Sequence, residues 1–165
     1  MEFTIDTNVF LNVKNREEPY YDYSKSILDS VDEGRNKAFV STVVIAEICS
    51  GYYLTREVQE KEEFLLHLLS SQNFQVVNVS IRIADEAARI RSETGLKLPD
   101  AIIAATGIIT KARYVVTNDT ESFKKVSKTI GVRTPKELIA ETEPRRSSNP
   151  RKNSTETKTE NGQAE

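Results

Sequence analysis

A chain of 165 residues with 38% hydrophobic side chains suits one compact domain whose core is buried on both faces of a sheet. Its formal net charge of −2 excludes nucleic-acid binding by bulk charge, so any such partner must be held by a local patch. The single cysteine excludes an intrachain disulfide, and no stretch approaches the ~20 apolar residues of a membrane span, which points to a soluble cytoplasmic protein.

Phe3–Asp6 reads as a short strand, with Asp6 breaking the first apolar run and no basic stretch before it, so no export signal is expected. A turn through Thr7–Asn8 and a helical stub at Val9–Val13 follow. Tyr20, Tyr23, Ile27, Leu28 and Val31 fit a 3.6-residue period and predict an amphipathic helix over Tyr20–Asp32, stopped at Gly34. Ala38–Val40 is a second strand. Ser41 or Thr42 can cap a helix over Val43–Tyr53, and Thr55 opens another over Arg56–Leu69. Phe74–Val77 is a third strand, and Ser80 caps a helix over Ile81–Glu93 that Gly95 ends. Pro99 starts a helix where proline costs least, running to Lys111. Tyr114–Thr117 is a fourth strand, Glu121–Ser127 a short helix, Ile130–Val132 an edge strand and Pro135–Ala140 a closing helix. Strands alternating with helices predict a three-layer α/β domain on a parallel sheet.

The domain is taken as 1–142 and a polar tail as 143–165. Residues 144–165 hold five of the 23 Lys/Arg and three of the 25 Asp/Glu, which leaves 18 against 22 in residues 1–143. With Ala164 its only apolar side chain, that tail cannot offset its ordering entropy and is expected to be disordered.

Two apolar runs stop on polar clusters: Asp6 and Asn8 after the first strand, Asn118 and Asp119 after the fourth. Parallel neighbours would bring Asp6 and Asp119 to one carboxyl edge, where open α/β sheets bind ligands. Thr7 and Asn8 supply a hydroxyl and an amide that can orient a carboxylate. Either aspartate alone can also be ordinary turn chemistry. Glu47 lies in VVIAEIC, a segment with hardly a polar face, so it is expected to be buried and to need a partner. Asp100 opens LPDAIIAATGII, a helix apolar all round and therefore buried. An acid in the first turn also favours the helix dipole. Like charges ~4 Å apart at an effective dielectric of ~20 repel by about 4 kcal/mol per pair. Four clustered carboxylates therefore need a cation, and hard oxygen donors suit Mg²⁺ or Mn²⁺. Such an ion activates water for in-line attack on a phosphodiester.

The strings DTNVF, STVVIAEICSG, LPDAIIAATG and VVTNDTESF, in that order over Met1 to Leu138, resemble the signature segments of PIN-domain nucleases, most of all the VapC-type ribonuclease toxins of toxin–antitoxin pairs. The resemblance implies a five-stranded parallel sheet in the order 3-2-1-4-5 within a three-layer α/β/α fold. It implies Asp6, Glu47, Asp100 and Asp119 as catalytic metal ligands, with Thr7, Asn8, Thr117 and Asn118 in support. Glu121 stands two residues past Asp119, where many relatives carry a second acid, so either can complete the set; Asp119 is favoured. An Mg²⁺- or Mn²⁺-dependent endoribonuclease, a homodimer and an antitoxin peptide laid along the cleft are implied with it.

Other readings compete with this one. A PIN-like module that binds RNA or protein without cutting would keep the same acids, and a PIN nuclease of RNA processing need not be a toxin. A phosphoacceptor domain of the receiver or haloacid-dehalogenase type would need a second acid closer to Asp6 than this sequence offers. Cys49 is read as a buried small hydrophobe and His67 as a helix-face or packed residue. Tyr52, Tyr53 and Leu54 suit a dimer interface or the core, and Arg91, Lys97 and Lys111 a solvated surface.

Overall fold

Residues 1–142 are described in a computed structural model of the chain; the tail expected over 143–165 lies outside them. Short runs of β-branched and aromatic residues form five strands: β1 (Glu2–Ile5), β2 (Lys37–Ser41), β3 (Phe74–Val77), β4 (Tyr114–Val116) and β5 (Gly131–Arg133). All are parallel, in the order β3-β2-β1-β4-β5. Phe3, Thr4 and Ile5 of β1 and all of β4 are buried, as central strands covered on both faces must be. At the edge, β5 is only half-buried.

From β1 the chain moves to β2 and β3 on one side, then returns to β4 and β5 on the other. The gap between β1 and β4 is therefore the topological switch point, with Thr4 opposite Val115 and Ile5 opposite Val116. Asp6 and Thr117 are the next residues of the two strands, so both emerge at the carboxyl edge.

Eight helices complete the three layers: α1 (Thr7–Lys14), α2 (Tyr21–Asp32), α3 (Thr42–Thr55), α4 (Val58–Ser70), α5 (Ile81–Thr94), α6 (Leu98–Ile109), α7 (Thr120–Phe123) and α8 (Pro135–Thr142). Ser41 caps α3 by accepting from the Val43 N–H at 3.4 Å, and Ser80 caps α5 through the Ile83 N–H at 3.3 Å. Gly95 ends α5 at φ 70°, the left-handed region that glycine enters without strain.

Three boundaries depart from the sequence reading. The turn expected at Thr7–Asn8 is the first turn of α1, because extended Asp6 occupies the N-cap position and its carbonyl accepts from Val9 at 3.2 Å. Thr55 ends α3 instead of opening α4: its hydroxyl donates back to Gly51 O at 3.1 Å, and Arg56 follows at φ 60°. The single helix expected over Glu121–Ser127 is α7 plus a 3₁₀ turn over Lys124–Val126.

Helix α6 lies across β1, β2 and β4, and small residues let it come close. A Cβ on Gly107 would stand 2.8 Å from Thr4 Cγ2 and 2.7 Å from Ile130 Cδ1, so this approach requires glycine. Because α6 runs back toward the start of β4, its N-terminus, with Asp100, lies at the carboxyl edge.

Candidate active site

At the switch point Asp6 is 6% exposed, the only one of the four acids that is buried. One oxygen, Oδ2, accepts from Asn8 Nδ2 at 2.6 Å and from the Thr117 hydroxyl at 2.7 Å. Thr117 Oγ1 in turn accepts from Asn8 Nδ2 at 3.0 Å and from the Asp119 backbone N–H at 2.9 Å. The side-chain oxygen Oδ1 of Asn8 accepts from the Asn118 backbone N–H at 3.1 Å. These bonds tie the end of β1, the first turn of α1 and the loop after β4 into one unit. On α3, Glu47 accepts a hydrogen bond from the Thr7 hydroxyl, so Thr7 orients a carboxylate of a different element.

Asp6, Thr7, Asn8, Leu11, Glu47, Lys97, Pro99, Asp100 and Asp119 line one cavity of about 290 Å³. All four acids thus converge on one pocket from β1, α3, α6 and the β4–α7 loop. Burial pushes the Asp6 carboxyl up to about 6, and the neighbouring Asp100 and Glu47 charges add to that rise. Asp100, half-buried, is raised by burial and by Glu47 and Asp119, and held back by Lys97. Glu47 departs from expectation. It is exposed, because α3 leaves Ala46 and Glu47 open to solvent while Val44 and Ile48 carry its buried face. Asp119 is exposed and accepts from the Ser122 N–H at 3.1 Å as the cap of α7. Glu121 is exposed and is not among the residues that line the cavity.

The donor set is all hard oxygen at a crowded anionic edge, which suits Mg²⁺ or Mn²⁺. The fit lies in donor chemistry and charge: among the described residues, no three His, Cys, Asp or Glu side chains stand close enough to hold an ion as placed.

Sequence reasoning missed the support behind the loop. Asn12, buried one turn after Asn8, accepts from Asn118 Nδ2 at 2.7 Å and donates to Glu17 Oε2 at 2.5 Å. Ser24 of α2 takes a second bond from Asn118 at 3.2 Å. The legible signal was the spacing: Asn8 and Asn12 share a face at i, i+4. Asn12→Leu is expected to lower stability by about 1–2 kcal/mol. It should also speed amide exchange at Asn118 and Asp119 while leaving β2 and β3 protected.

The remaining candidates lie elsewhere. His67 is on the surface of α4, 2.9 Å from Asp32 of α2 and edge-on to Phe74. Cys49 is half-buried, not buried, with burial raising its thiol. Tyr52 packs on Phe64, whereas Tyr53 and Leu54 are exposed. No helix among the described residues is long and apolar enough to cross a membrane.

A parallel sheet with an acidic pocket at its switch point places the chain in the open α/β class, whose members bind ligands at the carboxyl edge. Within that class, this chain belongs to the PIN domain family, whose profile matches residues 3–129. The family is one of nucleases, which generally use divalent metal ions. A toxin–antitoxin complex from Klebsiella pneumoniae is similar at 25% identity and a TM-score of 0.62, over 80% of this chain and 96% of that one. VapBC2 from Rickettsia felis, bound to a promoter DNA fragment, shares the fold at 22% identity and a TM-score of 0.64, over 81% and 98%. DNA-bound VapBC from Salmonella typhimurium does so at 18% and 0.63, over 82% and 98%. Among curated proteins none matches the chain.

Proposed function

We propose that the protein is an endoribonuclease that hydrolyses RNA phosphodiester bonds with Mg²⁺ or Mn²⁺, and that it is the toxin of a toxin–antitoxin pair. The observation that carries the reading is the convergence of Asp6, Glu47, Asp100 and Asp119 on one pocket at the switch point. These four would hold the ion, which when bound supplies Lewis acidity for the attack of water on phosphorus. Asn8 and Thr117 hold Asp6 in place, Thr7 holds Glu47, and the Thr117 and Asn118 bonds fix the loop that presents Asp119. In this reading Glu121 stays outside the ligand set. The likeness to toxin–antitoxin complexes supports an antitoxin partner; its placement along the cleft and homodimerisation belong to the same proposal.

The spacing of the acids favours one competing reading, a PIN module that binds RNA without cutting it. A labelled RNA pool and a matched DNA pool separate the two when incubated at pH 7.5 with Mn²⁺, Mg²⁺ or excess EDTA. The nuclease reading expects RNA fragments only where metal is present. Cleavage that persists in EDTA removes the metal from the mechanism, and calorimetric Mn²⁺ binding with intact RNA establishes the silent module.

A further inference from the structure

We infer that Lys97 is a substrate-binding residue of the proposed nuclease, its ammonium group holding a non-bridging oxygen of the scissile phosphate. The inference rests on the nuclease reading. The sequence offers three bases around α6, and the fold separates them. Arg91 donates to Leu96 O at 3.0 Å and is engaged there. Lys111 lies beyond the far end of α6, at φ 59°. Among the described residues only Lys97 of the three lines the acidic cavity, and it is the one cation that does.

Its position suits that task. Lys97 immediately precedes α6, where its carbonyl accepts from the Ala101 N–H at 2.9 Å, and buried Leu96 anchors it from the other side. The backbone is thus fixed at the rim while the side chain is exposed. Six of the 18 Lys and Arg of residues 1–142 (Lys14, Lys25, Lys61, Arg35, Arg89 and Arg133) form ion pairs with carboxylates. Among the described residues Lys97 forms none, although four acids share its cavity; its charge reaches Asp100 only through space.

Charge balance explains why a phosphodiester needs it. The four carboxylates of the cavity would leave it negative even with one divalent ion bound, and the chain as a whole carries −2, so an anionic substrate is repelled locally and globally. An unpaired ammonium on the wall is the group that reverses this at the phosphate. A lysine serves as a point charge there, without the fixed fork of an arginine.

Lys97→Met and Lys97→Arg in the full chain test it, with a single-stranded RNA oligonucleotide as probe. Lys97→Met should raise KM about tenfold or more, the loss of one charge-assisted contact. It should also flatten the salt dependence of RNA binding by about 0.7 in the log–log slope, the share of one phosphate on a single strand. Calorimetric Mn²⁺ affinity should hold or tighten, since a positive charge leaves the pocket. Lys97→Arg should restore most of the binding. An unchanged KM and salt slope in Lys97→Met would overturn the assignment. If the wild type binds RNA without cutting it, the nuclease reading fails, yet a smaller slope in Lys97→Met still supports the phosphate contact. A wild type that neither cuts nor binds RNA overturns both.

Discussion

Asp100→Asn should lower kcat for RNA cleavage by at least about 100-fold while leaving the metal-free protein as stable as the parent or more so. The lower bound comes from what weaker perturbations do: removing a group that merely orients a metal ligand costs about 10–100-fold. Asp100 sits on the cavity wall at the first turn of a buried helix, so in the proposed mechanism the amide replaces an anionic metal ligand with a weaker neutral one. It makes no side-chain hydrogen bond among the described residues, unlike Asp6, so the amide disrupts no network. Its stability effect has the opposite sign because burial first, and then Glu47 and Asp119, disfavour the charge that is removed, while Lys97 offsets part of this. Half-exposure and screening hold that gain to about 1 kcal/mol or less, a rise of roughly 2–4 °C in Tm for a domain of this size. Parallel RNA-cleavage kinetics and thermal melts in EDTA check both signs. Full activity in Asp100→Asn would leave the metal proposal without its chemistry. Lost activity accompanied by a fall in Tm would mark a folding defect instead.

The pairing of function with instability also shows what the sequence could disclose. Short continuous apolar runs place all five strands, and the 3.6-residue period with cap and stop signals places most helices, within a residue or two, because strands of a parallel sheet are buried on both sides. Boundaries failed where a single backbone choice decided them. Arg56 in the left-handed region ends α3 at Thr55, two residues past the Tyr53 that apolar patterning suggests, and nothing in the local residue types announces that. Glu47 departs from the sequence expectation for a different reason. VVIAEIC looks uniformly apolar, but α3 buries fully only Val44 and Ile48 among its residues and leaves Glu47 at the rim. Apolar composition states how much can be buried, and tertiary contacts choose which face is. Asn12, Ser24 and the Asn118 side chain meet across separations of 94 and 106 residues, which no local pattern encodes.

Between pH 4.5 and pH 7 the metal-free protein should lose stability as pH rises, and Mn²⁺ should reverse that trend. The carboxyl of Asp6 is held at about 6 in the fold against an ordinary 3.8, through burial first and then through Asp100 and Glu47, while Thr117 opposes the shift. A raised folded-state value means that the protonated form is favoured on folding. This contribution is fully present below about pH 4 and is lost as pH passes through 6. The separation corresponds to about 3 kcal/mol at neutral pH for a group this buried. Asp100 is shifted the same way and adds to the slope. Glu57, Glu86 and Glu141, lowered by Lys14, Arg89 and Arg133, work in the opposite sense, with their effect confined to the acid end of this window, near the ordinary 4.5 of a free glutamate. A divalent ion requires the deprotonated acids, so its stabilising effect must grow with pH as bound protons are released. Urea melts in EDTA and in Mn²⁺ at pH 4.5, 5.5, 6.5 and 7 should therefore diverge steadily. In Asp6→Asn the EDTA series should flatten, since the amide has no charge to desolvate. Parallel slopes with and without Mn²⁺ would show that the ion, if it binds at all, binds somewhere other than among these acids.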